Sequence, residues 1–399
     1  MDTLRDRPRT DRHRTDRHRT DRTSTATLPS DGRAHNLSLV RRTLHSAGAM
    51  SRADLSRTLG LTRVTVSDLV SDLLERGHVV ELGQSDEIRP GKPAILVDIN
   101  RQGLQVIGMD LAENSVLRAA VLDLDGNILD RVERSLSEET GQDVVNKVLE
   151  LASEAVGRAT ATLLGIGVGT PGIVNADGVV TTAPNFQWKD VALRELIQEH
   201  TGLPTLVSND ADAAVHADYT FGGGSDDMVL VKIGRGVGSG LIVGGRRARG
   251  AHSAAGEIGH VTVGTDGGTM CKCGKKGCLE TWMSVPSLEL ALAEAAASSE
   301  PEAAAGVALR EASVLREAGE RLAIALAPVV GALDLAEVVL SGPRKLLEGP
   351  LLDAVQHTLL ERLLHQDPSP VSVRLAADAQ DIVLRGSAVM VLWNQLGVA

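Results

Sequence analysis

All three cysteines of the chain, Cys271, Cys273 and Cys278, fall within eight positions, and a histidine, His260, stands eleven residues before the first of them. Three thiolates and one imidazole are the donor set that closes a tetrahedral zinc shell. Few backbone paths bring four such side chains to one point, and Gly274 and Gly277 supply the tight turns required. The alternative is a set of three buried or redox-active thiols. Four protein ligands leave no open position for water, so the expected Zn2+ is structural: it shapes a site rather than performing chemistry.

At 399 residues the chain is too long for one compact core, and two or three domains are expected. A hydrophobic fraction of 43% is ample for burial, while an aromatic fraction of 2% means cores built from Ala, Val, Leu and Ile. No apolar run approaches the roughly twenty residues that span a bilayer, so no membrane insertion is expected. The N-terminus is polar and arginine-rich, unlike a secretory signal. Thiols used as metal ligands fit a reducing compartment, and the expected location is the cytoplasm. Net charge is −11, but unevenly spread. Residues 1–63 hold fourteen Arg against seven Asp, with no Lys or Glu, a net +7 that leaves −18 for the remainder. That asymmetry predicts a basic module attached to an acidic body.

Residues 1–34, with Thr-Asp-Arg-His-Arg nearly repeated from Thr10 to Arg22, contain almost nothing to bury and are expected to form a disordered tail. Over 35–100 the pattern changes. Leu37, Val40 and Leu44 recur at helical spacing. Ser51 can cap a second helix carrying Leu55 and Leu59, which ends at Gly60. Thr62 can cap a third, with Val66, Leu69, Val70, Leu73 and Leu74 on its inner face. Strand-like segments at Val79–Leu82 and Ala94–Ile99 flank Arg89-Pro90-Gly91-Lys92-Pro93, so the reading is a winged helix-turn-helix. Its third helix turns Arg63, Thr65, Ser67 and Asp68 outward, where Arg63, Thr65 and Ser67 suit the major groove of double-stranded DNA. Arg89 and Lys92 at the wing tip suit phosphate or the minor groove. The competing reading is a helical protein-interaction or dimerisation module.

Beyond Arg101 strands and helices alternate. Strands are expected at Val106–Leu111, Leu117–Asp123, Leu164–Gly169, Leu206–Asn209, Met228–Ile233 and Gly240–Val243. Helices are expected over 142–160, 188–200, 211–219, 286–332 and 375–396. The pattern supports an α/β body in two halves, a first lobe over 101–220 and a second, carrying the metal segment, over 221–399.

The stretch Gly256-Glu257-Ile258-Gly259-His260, followed by Cys271-x-Cys273-Gly274-x-x-Gly277-Cys278-Leu279-Glu280, resembles the signature of the ROK family, which unites repressors and sugar kinases. The resemblance extends over roughly residues 35–399. It implies a two-lobed, actin-like, ribonuclease-H-like body of the sugar-kinase type, with a sugar bound between the lobes. It further implies that Asn209 and Asp210, in Ser208-Asn209-Asp210-Ala211-Asp212, hold sugar hydroxyls. In the family's kinases the Asp is the general base, so Asp210 is the one catalytic candidate. Glu257, His260 and Glu280 are implied sugar contacts, and Asn185, in Pro184-Asn185-Phe186-x-Trp188, is a further one. Carboxylates suit vicinal hydroxyls because each accepts several bonds. Glu257 and Glu280 have a purely supporting role as the alternative. Asp212 stands where the family usually has Asn.

The phosphate-binding positions depart from the kinase pattern. Where kinases have Asp-x-Gly-Gly-Thr-Lys, this chain has Asp110-Leu111-Ala112-Glu113-Asn114-Ser115. Loss of both glycines blocks close approach of backbone N–H groups to phosphate. Glu113 adds a repulsion of about 1 kcal/mol in water and about 4 kcal/mol near a protein surface, for like charges about 4 Å apart. The loop Gly234-Arg235-Gly236-Val237-Gly238-Ser239-Gly240 is better kept, with Arg235 in place of Thr and suited to a phosphate on the sugar itself. A glycine pair is reduced to Ser341-Gly342-Pro343. ATP binding and enzymatic activity are therefore not expected. The sequence predicts a sugar-responsive transcriptional regulator, a repressor more than an activator. It would take a monosaccharide or sugar phosphate as effector and assemble as a homodimer or homotetramer on a DNA operator. A sugar kinase carrying an extra DNA-binding domain is the rival, and an interaction protein that binds neither sugar nor DNA is a third reading.

Overall fold

The computed structural model describes residues 29–84, 94–113, 115–263, 268–297, 304–364 and 370–397. The N-terminal module comprises α1 (Pro29–Ala47), β1 (Met50–Ser51), α2 (Arg52–Leu59), α3 (Arg63–Glu75), β2 (Val79–Gln84) and β3 (Ile95–Ile99). Its turns follow from their capping residues. Ser51 accepts from Asp54 N to start α2, Gly60 ends it in the left-handed conformation (φ 66°), and Thr62 accepts from Thr65 N to start α3. Leu37, Val40, Leu44, Leu55, Val66, Leu69, Val70 and Leu73 are all buried. The strands form a sheet in the order β1-β3-β2, with a register shift between Glu81 and Gly83. This is the winged helix-turn-helix that the sequence predicts. The expected wing tip, with Arg89 and Lys92, lies outside the described residues.

The expected tail is shorter than residues 1–34. Helix α1 begins at Pro29, so residues 29–34 are helical, and Arg33 reaches Asp68 and Asp72 on α3. Proline suits a first helical turn, and the two partly exposed Arg33 ion pairs join α1 to α3. Residues 1–28 lie outside the described residues.

The first lobe contains β4 (Leu104–Asp110), β5 (Val116–Leu122), β6 (Ile128–Ser135), α4 (Gln142–Arg158), β7 (Thr162–Thr170), β8 (Ile173–Val174), β9 (Val180–Ala183), β10 (Trp188–Val191), α5 (Leu193–Thr201), β11 (Thr205–Asn209) and α6 (Asp210–Phe221). The second contains β12 (Met228–Ile233), β13 (Val237–Val243), β14 (Arg246–Arg247), α7 (Glu280–Met283), α8 (Val285–Ala296), α9 (Ala304–Leu333), β15 (Glu337–Ser341), α10 (Arg344–Leu347), α11 (Pro350–Arg362), β16 (Ser372–Leu375) and α12 (Ile382–Leu396). The two main sheets run β11-β7-β4-β5-β6 and β14-β13-β12-β15-β16. In each, the first strand pairs antiparallel with the second and parallel with the fourth, so the lobes repeat one topology. The α/β class and sugar-kinase-type body are as expected. Strand β6 is absent from the expected strands because it is a charged edge strand, with Asp130, Arg131, Glu133 and Arg134 along it. The helix expected over 188–200 starts only at Leu193, after β10, and that expected over 375–396 starts at Ile382.

One boundary needs correction. Helix α12, expected within the second lobe, packs on β4 and β7 of the first. Small residues permit this. A Cβ on Gly167 would run into the Ser387 carbonyl of α12, and one on Gly386 would run into the Ala213 carbonyl of α6. The far end of α12 then meets α1. Arg41 Nε donates to Leu396 O at 3.2 Å and Arg42 Nε to Gly397 O at 2.6 Å. Leu392 and Leu396 share one apolar core with Leu37, Val40 and Leu44 of the helix-turn-helix module and with Leu104, Val106 and Leu164 of the first lobe. No described helix is long and apolar enough to cross a membrane.

Candidate functional site

After β14 the chain forms a 3-10 turn at Ile258–His260 and returns to it through the cysteine segment. One donor atom from each of His260, Cys271, Cys273 and Cys278 lies within 4.8 Å of the others. Cys271 Sγ is 3.7 Å from His260 Nδ1, and Cys273 Sγ is 3.6 Å from Cys278 Sγ. A tetrahedral ion with Zn–S bonds of about 2.3 Å requires sulfurs roughly 3.7 Å apart. The donor set and spacing therefore fit a metal ion. Gly274 (φ 89°) and Gly277 (φ 71°) supply the left-handed turns between the thiols. Burial, together with the neighbouring thiols, pushes Cys278 up to about 12. A bound cation reverses that preference, because the ligand form is the thiolate.

Around this cluster the implied sugar contacts converge. Glu280, two residues past Cys278, places Oε2 3.1 Å from Val237 N, and its Oε1 lies 3.7 Å from Cys271 Sγ. A Cβ on Gly236 would stand 2.6 Å from that Oε2, which is why the glycine-rich loop can lie against the carboxylate. Burial raises the Glu257 carboxyl above its usual range. The His260 ring counteracts this, and the Asp210 and Glu280 charges add to it, so these four groups share one environment. Asn209 caps α6: Oδ1 accepts from Ala211 N at 2.8 Å and from Asp212 N at 3.4 Å, while Nδ2 donates to Gly172 O at 2.9 Å. Its first duty is to aim Asp210. Asn185 stands exposed on the 3-10 turn Pro184–Phe186, anchored by buried Phe186 and Trp188, and no side-chain hydrogen bond among the described residues joins it to Asp210.

Two decisive residues are not singled out by sequence reasoning. Arg247 Nη1 donates to Ser208 Oγ and Asp212 Oδ2, both at 2.6 Å. That pair explains Asp212, since a carboxylate is tolerated where the family has Asn because a buried guanidinium faces it. Lys232 Nζ lies 3.0 Å from Asp210 Oδ2, with both side chains 17% exposed. Burial would depress the Lys232 ammonium, but Asp210 and Asp110 more than offset that and raise it. Lys232 belongs to the second lobe and both carboxylates to the first, so the ion pair crosses the cleft. Its sequence signal is a single lysine inside the apolar strand Met228-Val-Leu-Val-Lys-Ile233, since a buried lysine requires a partner.

Asp110 is pushed up to about 6 by burial, against the pull of Lys232 and of Ala112 N. A carboxyl whose folded pKa exceeds its unfolded value of 3.8 favours the folded state most when protonated. Its contribution therefore falls as pH rises from about 4 to about 6 and is flat beyond, by at most about 3 kcal/mol. We expect Asp110→Asn to flatten the pH dependence of the calorimetric Tm in that window. A variant whose profile parallels the parent's would refute this.

Asp110, Glu113, Lys232, Gly234, Arg235 and Gly342 line an interlobe cavity of about 690 Å³. The cavity takes in Asp110 and Glu113 of the loop that departs from the kinase pattern, and Asp110 Oδ1 is occupied by Ala112 N at 2.8 Å. On the outward face of α3, Arg63 and Ser67 are exposed, whereas Thr65 is half-buried, its hydroxyl 2.9 Å from Thr62 Oγ1. Asp68 is paired with Arg33. Val64, overlooked in sequence, is 80% exposed and offers apolar contact suited to a thymine methyl.

A duplicated sugar-kinase-type body carrying a helix-turn-helix defines the class, and the comparisons define the family. The profile of the ROK family matches residues 106–394, and that of "Bacterial regulatory proteins, crp family" matches residues 49–78, across α2 and α3. The chain belongs to the ROK family. It is 32% identical over 262 residues to a xylose repressor of Caldicellulosiruptor bescii, a match covering 63% of this chain and 64% of the repressor. It is 34% identical over 189 residues to a glucokinase of Halalkalibacterium halodurans, covering 46% of this chain and 57% of the kinase. The chain thus spans just under two thirds of such curated relatives. A crystal structure of a ROK family transcriptional regulator, described as a homolog of E. coli MLC protein, shares the fold with a TM-score of 0.77 and 24% identity, covering 91% of this chain and 97% of that one.

Proposed function

We propose that the protein is a sugar-responsive, DNA-binding repressor of carbohydrate metabolism acting in the cytoplasm, and not a sugar kinase. One observation carries the reading. A helix-turn-helix with an exposed recognition face shares a continuous core, through α12, with the lobe that presents Asp210 to the cleft. Similarity to a xylose repressor supports it. Arg63, Val64, Thr65 and Ser67 meet the operator in the major groove, with Arg89 and Lys92 from the wing. A monosaccharide or sugar phosphate enters beside Lys232 and is held by Asp210, Glu257, His260 and Glu280, with Asn209 and Asn185 at the margin. A structural Zn2+ on His260, Cys271, Cys273 and Cys278 fixes the ring of His260 and, through Cys278, the place of Glu280. The chain acts as a homodimer or homotetramer, because a two-fold assembly matches palindromic half-sites. Sugar shifts the equilibrium only by its different affinity for the DNA-competent and DNA-incompetent arrangements of the lobes.

The test is an electrophoretic mobility shift on DNA from the chain's own upstream region, with a panel of monosaccharides and their phosphates. One member should release the complex. Failure to shift any fragment, or release by none, overturns the proposal. The kinase reading keeps the 690 Å³ cavity in its favour. With labelled ATP and the same sugars we expect no phosphorylation above background, and turnover would restore Asp210 as a base.

A further inference from the structure

Behind the sugar cleft, at the edge of β11, a separate cavity of about 180 Å³ is lined by Arg194, Arg247 and Arg249, together with Asn175, His216 and Trp393. Three guanidinium groups meet there in a body whose net charge is −18 beyond residue 63. Neither Arg194 nor Arg249 has a side-chain hydrogen bond or ion pair among the described residues. Arg247 is held by Ser208 and Asp212 through Nη1, which leaves its Nε and Nη2 donors available. Burial, with Arg247 and Arg249 beside it, lowers His216 to about 4, so its ring is neutral and brings one N–H donor without further charge. Like charges gathered around a cavity repel unless something negative lies among them, and the forked guanidinium matches phosphate in particular.

We propose that this cavity is a phosphate-binding site, distinct from the sugar and nucleotide positions, and that its ligand is a small phosphomonoester or phosphate itself. The cavity is about a quarter of the volume of the interlobe one, about 180 Å³ against about 690 Å³, and suits a small anion better than a nucleotide. The location gives the site consequence. Trp393 and Asn394 form the last turn of α12, and Leu396 and Gly397 just beyond accept hydrogen bonds from Arg41 and Arg42 of the DNA-binding module. On its other side Arg247 holds Asp212, two residues after Asp210. A ligand in the cavity lies against Ser208 and His216, on either side of the first turn of the helix that begins at Asp210, and against the last turn of α12, which is hydrogen-bonded to α1 of the helix-turn-helix module.

The experiment needs neither DNA nor sugar, so its outcome is independent of the repressor proposal. The full chain is titrated at constant ionic strength with inorganic phosphate, glycerol 3-phosphate, acetate and glycerol. Binding is read by calorimetry and by the fluorescence of Trp393, which is 46% exposed. Phosphate or glycerol 3-phosphate should bind and change the emission, the tighter of the two identifying the source, and acetate and glycerol should not. Arg194→Ala and Arg249→Ala should each weaken binding by about tenfold or more, as expected on losing one charge-assisted contact. Trp393→Phe should abolish the optical change while calorimetric binding persists. Absence of heat and emission change up to about 10 mM phosphate, a limit beyond millimolar affinity, overturns the proposal. So does acetate binding as tightly as phosphate, or unaltered affinity in both arginine variants with parental Tm.

Discussion

With serine in place of Cys278, the purified protein is expected to carry less than about 0.1 equivalent of zinc per chain instead of about one, measured by plasma mass spectrometry. Its Tm should fall by more than about 10 °C, because a structural zinc contributes binding free energy directly to folding. The reason is geometric. Cys278 is fully buried, and its backbone pairs with Thr262 across the segment. Without the metal, two thiols and an imidazole have no common partner to hold them together. Glu280 then loses the anchor two residues before it, and His260 its fixed ring. A Cys278→Ser chain that still binds operator should therefore no longer be released by the effector sugar. Unchanged metal content would remove Cys278 from the shell. Metal loss with an intact sugar response would separate the shell from the site.

Substitution of Lys232 by methionine is expected to lower stability by about 3–5 kcal/mol at pH 7, the usual cost of leaving a buried charge without its partner. The shape of the strand is kept, but Asp110 and Asp210, both on the first lobe, then lose the cation that the second lobe sets against them. The loss should shrink as pH falls from about 7 towards 4, because a carboxyl already raised to about 6 takes up a proton and becomes neutral. Adding Asp110→Asn to the Lys232→Met chain should recover much of the difference. Chemical denaturation of the four chains of this double-mutant cycle measures the coupling. A Lys232→Met chain as stable as the parent at pH 7, or one that Asp110→Asn does not rescue, would show that the lysine does not bind the lobes together.

The helix-turn-helix was readable because its signals are local. Ser51, Gly60 and Thr62 act on backbone groups no more than three or four residues away, and Val66, Leu69, Val70 and Leu73 mark one helical face. The His260, Cys271, Cys273 and Cys278 cluster was readable for a similar reason, since its four side chains lie within nineteen residues and are a donor set that could hold a metal. The departures at Asp110–Ser115 were visible as residue types, and the structure adds how Asp110 is occupied. Edge strand β6 was missed because its charged side chains resemble those of a loop.

What remained hidden required contacts between distant parts of the chain. Lys232 is one polar letter in an apolar strand until Asp210 appears 3.0 Å from its ammonium. Asp212 looks like a simple departure from the family until Arg247, thirty-five residues away, is found against it. Periodicity made α12 a helix but said nothing of its neighbours. It crosses back to the first lobe because Gly167 and Gly386 leave room for backbones to touch, a fit that exists only once both surfaces are formed. Composition, caps and the spacing of His260 and the three cysteines thus settled the class of fold and the place of the His/Cys cluster, through interactions a few residues long. The ion pairs spanning the cleft, the arginine cavity and the joint between α12 and the DNA reader were decided by packing, which brings charges together without leaving a pattern along the chain.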